Sequence, residues 1–108
     1  MHARVTRFEG SPDEIEKGVK MINETVIPSA KNLKGFKGGY WLVDRASGKG
    51  FGLTLFESEE ALRATEDAAA QIRAQAQSFT KITGVERYEV VAVAEVAPEP
   101  EMATPSSR

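Results

Sequence analysis

The sequence predicts an α+β domain in which two helices cover one face of a four-stranded antiparallel sheet, in the order β-α-β-β-α-β. Three observations predict it: two segments carry a helix cap followed by an apolar stripe, four segments read as strands, and the middle two strands flank a tight Gly-containing turn. At 108 residues, 41% of them hydrophobic, the chain has room for one modest core.

Residues 2–9, HARVTRFE, alternate loosely and stop at Gly10, as a first strand does. Ser11 then supplies an N-cap, Pro12 the first helical position and Glu14 the far side of a capping box. Behind them Ile15, Val19, Ile22 and Val26 form one stripe, which predicts a helix over 12–26 that Pro28 stops. The loop PSAKNLKGFKG leads into GGYWLVDRASGKGFGLTLFES, two strands whose turn uses Ser47 and Gly48, with a residue at positive φ. Ser58 caps a second helix with Glu59 and Glu60 in its first turn, and Leu62, Thr65, Ala69, Ile72, Ala76 and Phe79 make its stripe. Gly84 restarts the chain as a long last strand, VERYEVVAVAEV, after which the Pro- and Ser-rich APEPEMATPSSR has little to bury. The expected organisation is one domain over 1–97 and a disordered tail over 98–108. The element order is that of the split βαβ, or ferredoxin-like, fold.

Tyr40, Trp41, Leu42 and Val43 run together without a polar break, and residues 90–93 are apolar on both faces. Two helices cover one face of a four-stranded sheet and leave the other bare, and a bare apolar sheet is unstable on a monomer. A second copy is the simplest cover, so a homodimer closed as a dimeric α+β barrel is expected. With 14 basic and 16 acidic residues, a formal charge of −2 and no cysteine, nucleic acid, anionic membranes, disulfides and thiolate metal sites are not expected. No apolar run approaches the ~18 residues of a membrane span, and the first ten residues lack a signal-peptide centre, which points to a soluble cytoplasmic protein.

Leu33-Lys34-Gly35-Phe36-Lys37-Gly38 and Phe56-Glu57-Ser58-Glu59-Glu60-Ala61 resemble two short motifs of the antibiotic biosynthesis monooxygenase family, within the dimeric α+β barrel superfamily. The resemblance spans residues 2–96. It implies one of three outcomes: cofactor-free oxygenation of electron-rich polycyclic phenols, haem breakdown, or a domain with no known substrate. The haem-degrading branch carries a Trp and then a His in the second helix. Here ALRATEDAAAQIRAQ has neither, and His2 is the only histidine. No haem, metal or other cofactor is therefore expected.

Five side chains are candidates for holding a ligand: Arg4, Asn23, Trp41, Thr54 and Phe56. Trp41 and Tyr40 are neighbours on a strand and point to opposite faces, one under the helices and one toward the partner. Either is core, or one of them stacks on a planar ligand. Arg4 shares a face with His2, Thr6 and Phe8. It either pairs with Glu89 or Asp44, or holds an anionic or phenolate oxygen. Asn23 sits at the edge of the first stripe, within reach of a pocket between helix and sheet, and Thr54 and Phe56 share a face of the third strand. The acidic pairs Asp13/Glu14, Glu59/Glu60 and Glu66/Asp67 fall on helix starts or solvated faces rather than forming a catalytic dyad. With His2 the sole imidazole there is no Ser/His/Asp set, no group with metal-ligand spacing, and no residue singled out as catalytic. Two functions remain: a cofactor-independent monooxygenase acting on a planar phenolic substrate, or a non-catalytic ligand-binding or stress-related domain.

Overall fold

Strand β1 (His2–Glu9) is central, pairing antiparallel with β3 (Lys49–Phe56) on one side and β4 (Lys81–Glu89) on the other, with β2 (Phe36–Val43) outside β3. The order β2-β3-β1-β4 is the ferredoxin-like topology. The computed structural model describes residues 1–95, and the tail expected over 98–108 lies outside the described residues.

The first helix departs from expectation at both ends. Pro12–Glu14 form a 3₁₀ turn in which the Ser11 hydroxyl accepts from the Asp13 N–H at 3.3 Å. The Glu14 carboxylate turns to Lys17 at 3.6 Å, so the reciprocal capping box does not form. Helix α1 (Ile15–Met21) then widens into a π turn over Ile22–Val26 and resumes as α2 (Ile27–Lys31). Pro28, expected to stop the helix near 26, instead sits at the start of α2. The π turn explains this: the Ile27 N–H reaches back to the Ile22 carbonyl, and the wider turn admits a residue with no N–H to give.

The second helix begins as expected, the Ser58 hydroxyl accepting from the Ala61 N–H at 3.0 Å. It breaks at Thr65, which has φ −102° and ψ 9° and separates α3 (Glu59–Ala64) from α4 (Glu66–Ala76). Its hydroxyl donates to the Leu62 carbonyl at 2.9 Å, the back-bonding by which threonine bends a helix. Strand β4 starts at Lys81, not Gly84, and a ladder irregularity between the rungs of Arg7 and Phe8 absorbs the offset. Its last rung pairs Glu89 with His2. Residues 90–93, expected in the strand, leave the sheet after the Val90 N–H donates to the Met1 carbonyl at 2.9 Å.

Register sorts the side chains. Under the helices lie Arg4, Thr6, Phe8, Trp41, Thr54 and Phe56. On the other side, rows across the sheet read Gly38, Leu55, Ala3, Tyr88; then Tyr40, Leu53, Val5, Glu86; then Leu42, Phe51, Arg7, Gly84. Among the described residues no helix lies over this second face: Tyr40 is 68% exposed, Tyr88 51% and Leu42 45%, while Ala3 and Val5 of the central strand are buried. Arg7 pairs with Glu86 on this face at 3.1 Å, beside Phe51.

The β2–β3 turn closes where the sequence placed it. The Gly48 N–H donates to the Asp44 carbonyl at 2.8 Å, and the Gly48 carbonyl accepts from the Gly10 N–H at 2.8 Å, tying the turn to the end of β1. Gly48 has φ +81°, and a Cβ there would overlap the Gly10 carbonyl oxygen. Gly48→Ala should therefore cost about 1–3 kcal/mol. Differential scanning calorimetry should show a Tm drop of roughly 5–15 °C for a domain of this size. An unchanged Tm would mean the turn re-forms without strain.

Candidate functional site

A cavity of about 130 Å³ lies between the helical layer and the covered sheet face. Arg4, Thr6, Trp41, Gly52 and Thr54 form its floor, and Val19, Ile22, Val26, Ala69 and Ile72 are among the apolar residues of its roof. The π turn forms part of this wall, a position where such turns recur at functional sites. Glycine shapes the floor. A Cβ on Gly52 would lie 2.7 Å from Trp41 Nε1, so only its absence lets the indole lie flat on β3.

Arg4 is 3% exposed. Its Nη2 donates to the Leu62 carbonyl at 2.8 Å and to the Thr65 hydroxyl at 3.2 Å, and lies 3.2 Å from Glu66 Oε2. The guanidinium carbon sits 5.0 Å from the centre of the Phe56 ring, while Nε has no partner among the described residues. Burial pulls the Arg4 pKa below its ordinary value and Glu66 opposes the shift. Arginine stays charged throughout. Glu66 also receives Arg87, whose Nε and Nη2 each approach a carboxylate oxygen at 2.7 Å. That bidentate contact, with a further contribution from Arg4, holds the Glu66 carboxyl at about 2. Arg73 on α4 lines the same cavity and is part-buried, its Nη1 shut away with no acceptor among the described residues. Burial and then the charge of Arg4 depress its pKa.

Of the five candidates, Arg4, Trp41 and Thr54 come together on the cavity floor, and the Thr54 hydroxyl donates to the Arg4 carbonyl at 3.4 Å. Phe56 does not reach the cavity. It is completely buried beneath Arg4, its ring edge-on to Phe36 at 6.0 Å. Asn23 is exposed and donates to the Val19 carbonyl at 3.1 Å, and it borders a second, open depression of about 420 Å³ together with Phe36, Tyr40 and Trp41. Neither Glu89 nor Asp44 pairs with Arg4: Glu89 stands opposite His2, and Asp44 bonds the backbone of its own turn. The true partner, Glu66, belonged to an acidic pair read as solvated. Arg73 was not singled out, although it falls four residues after Ala69 and three before Ala76, on the covered side of the stripe. Among the described residues no three His, Cys, Asp or Glu gather, and His2 does not line the cavity.

No family model matches the chain. An uncharacterized protein of Mycobacterium tuberculosis is 31% identical over 91 residues, covering 83% of this chain and 39% of that protein. The chain thus spans less than half the length of the curated relatives it matches. A monooxygenase from Streptomyces coelicolor in complex with Nanaomycin D superimposes with a TM-score of 0.63 at 17% identity, over 91% of this chain and 92% of that one. A variant of MhuD with two manganese protoporphyrin IX molecules bound per active site gives 0.68 at 21% identity, over 89% and 100%. At these identities the likeness is one of fold. The chain has the ferredoxin-like fold of the antibiotic biosynthesis monooxygenase-like proteins, as its two short motifs predict.

The ion cluster makes stability depend on acid. The Glu66 pKa is lowered on folding from 4.5 to about 2, so its contribution is whole above 4.5 and is lost as pH falls toward 2. Thermal melts of the wild type and Glu66→Gln should differ most near neutrality and converge between pH 4.5 and 2. A gap that stays constant over that range would mean Glu66 carries no linked proton.

Proposed function

We propose that the chain is a small-molecule-binding domain whose ligand is a planar aromatic held against Trp41 in the cavity under the helices. The observation that carries this reading is the constellation on its floor: the only tryptophan lies flat over Gly52 in an apolar pocket that also contains a buried guanidinium. The aromatic face offers stacking, and Arg4 adds a cation in a low-dielectric surrounding where it favours an anionic oxygen.

The size of the cavity limits the ligand. About 130 Å³ is close to the ~150 Å³ of a cavity that holds benzene, so one ring fits it as it stands. A polycyclic ligand would extend beyond it, toward the adjoining depression of about 420 Å³ that shares Val19, Ile22, Trp41 and Val43.

The fold shared with a monooxygenase supports a catalytic version of this reading. In the simplest balanced form, a phenol and dioxygen give a quinone and water: one oxygen atom enters the ring, the other leaves as water, and all the electrons come from the phenol. The protein's part is to exclude water, orient the ring on Trp41 and hold the phenolate near Arg4. Haem does not fit these residues, since no histidine lines the cavity. One observation favours the non-catalytic alternative: among the described residues no histidine, cysteine or tyrosine lines the cavity, and the carboxylate that does, Glu14, is turned to Lys17 at 3.6 Å.

We also propose that a second copy covers the open sheet face, with Tyr40, Leu42, Leu53 and Tyr88 as its apolar surface. Light scattering at micromolar concentration should then give twice 11.8 kDa. Leu53→Asp should dissociate the dimer, and a stable monomer of the wild type would remove the proposal.

For the ligand itself, tryptophan emission and oxygen uptake should be followed while planar phenols and haemin are titrated separately. Phenols should quench Trp41, and Gly52→Val, which displaces the indole, should weaken binding by about tenfold or more. Quenching without oxygen uptake selects the binding-domain reading. Absence of binding across the panel, or a stoichiometric Soret band with haemin, would overturn the cofactor-free site.

A further inference from the structure

The charges beneath the cavity do not balance. Arg4, Arg73 and Arg87 gather around a single carboxylate, Glu66, and both oxygens of that carboxylate are already engaged, by Arg87 twice and by Arg4. Arg73 makes no ion pair among the described residues, and its Nη1 has no acceptor. Arg4 is nine-tenths buried and more, yet its Nε is equally unsatisfied. A part-buried guanidinium with a nitrogen shut away from any acceptor is costly, and an apolar residue at position 73 would avoid that cost. Both guanidiniums line the same cavity, whose remaining wall is mostly apolar.

We infer that Arg73 and Arg4 together form an oxyanion subsite, and that the natural ligand is a single-ring aromatic carboxylate whose ring lies on Trp41 and whose carboxylate supplies the missing counter-charge. This deepens the small-molecule reading above and rests on it. A carboxylate suits the pair better than a simple phenol for two reasons. It carries its charge at neutral pH, whereas an ordinary phenol, with a pKa of about 10, does not. It also offers two oxygens, one to each guanidinium, in charge-assisted hydrogen bonds. The size limit agrees, since a benzene-sized cavity accommodates one ring and little else.

Benzoate and its neutral isostere benzamide separate charge from shape. Binding of each should be measured from Trp41 emission and thermal shift, on the wild type, Arg73→Met and Arg73→Lys, with 2-naphthol as a larger uncharged control. Benzoate should bind the wild type about tenfold or more tightly than benzamide, the size of one charge-assisted hydrogen bond. Arg73→Met should erase that preference and leave benzamide unchanged, while Arg73→Lys, which keeps the charge and loses the fork, should retain part of it. Without ligand, Arg73→Met should melt no lower than the wild type, because it removes a cation that has no partner.

Equal affinity for benzoate and benzamide would overturn the inference, as would full benzoate binding by Arg73→Met. A marked fall in the ligand-free Tm of Arg73→Met would do the same, by assigning the residue to the architecture instead. If 2-naphthol binds and benzoate does not, the oxyanion subsite is wrong and the aromatic cavity stands. If no aromatic binds at all, both fail.

Discussion

A single buried guanidinium constrains the rest of this structure. Arg4 points from the central strand into the seam between sheet and helices, where a charge without partners would be worth several kcal/mol of destabilisation. The chain compensates by bending the second helix toward it. At the break the Leu62 carbonyl accepts from the Thr65 N–H, the Thr65 hydroxyl and Arg4 Nη2, and α4 starts at Glu66, within 3.2 Å of the same nitrogen. Phe56 closes the underside with its ring face. The helix break, the site of the counter-ion and the depth of the aromatic core are thus three responses to one charge. Because α4 carries Ala69, Ile72 and Arg73 over the sheet, the same contact sets the height of the cavity roof.

The two faces of the sheet have divided their work. On the covered face, glycines at 39 and 52 leave space that the Trp41 indole fills, and the result is a pocket rather than a close-packed core. On the open face, Tyr40, Leu53 and Leu42 make a surface that one subunit leaves to solvent. In the proposed dimer a second copy would cover this face without touching the cavity, so the proposed assembly and the proposed ligand site draw on different side chains of one strand, Tyr40 and Trp41, one residue apart.

Much of this was legible where local chemistry decides. Ser58 caps its helix because an oxygen there answers a free N–H, Gly48 turns the hairpin because only glycine fits that φ, and Tyr40 and Trp41 diverge because a strand alternates. The motifs around Gly35 and Ser58 indicated the fold. What stayed hidden depends on contacts distant in sequence. Pro28 reads as a stop signal, and only the π turn before it admits continuation. Strand β4 leaves the sheet after Glu89 although the residues that follow read as strand, with the Val90 N–H still bonded to the Met1 carbonyl. The Asn23 amide bonds the backbone of its own helix, and the Phe56 ring lies under Arg4, neither contact being visible in the spacing. Glu66 looked solvated because a helix start is usually so, and its pairing with residue 4 is a fact of tertiary packing. Arg73 was half-visible: its spacing from Ala69 and Ala76 places it on the covered face, but charge argued for solvent.

The most direct test of the constraint at Arg4 is a double-mutant cycle in equilibrium unfolding, using Arg4→Met, Glu66→Gln and the pair. Each single change strands a charge or leaves its partners unsatisfied, so each should be strongly destabilising, and the double variant should recover part of the loss. A coupling energy of about 1–3 kcal/mol is expected, in the range found for residues sharing one buried network. Additive effects, with the double variant as unstable as the two losses summed, would show that the guanidinium and the helix break are independent features and that the seam is held by packing alone.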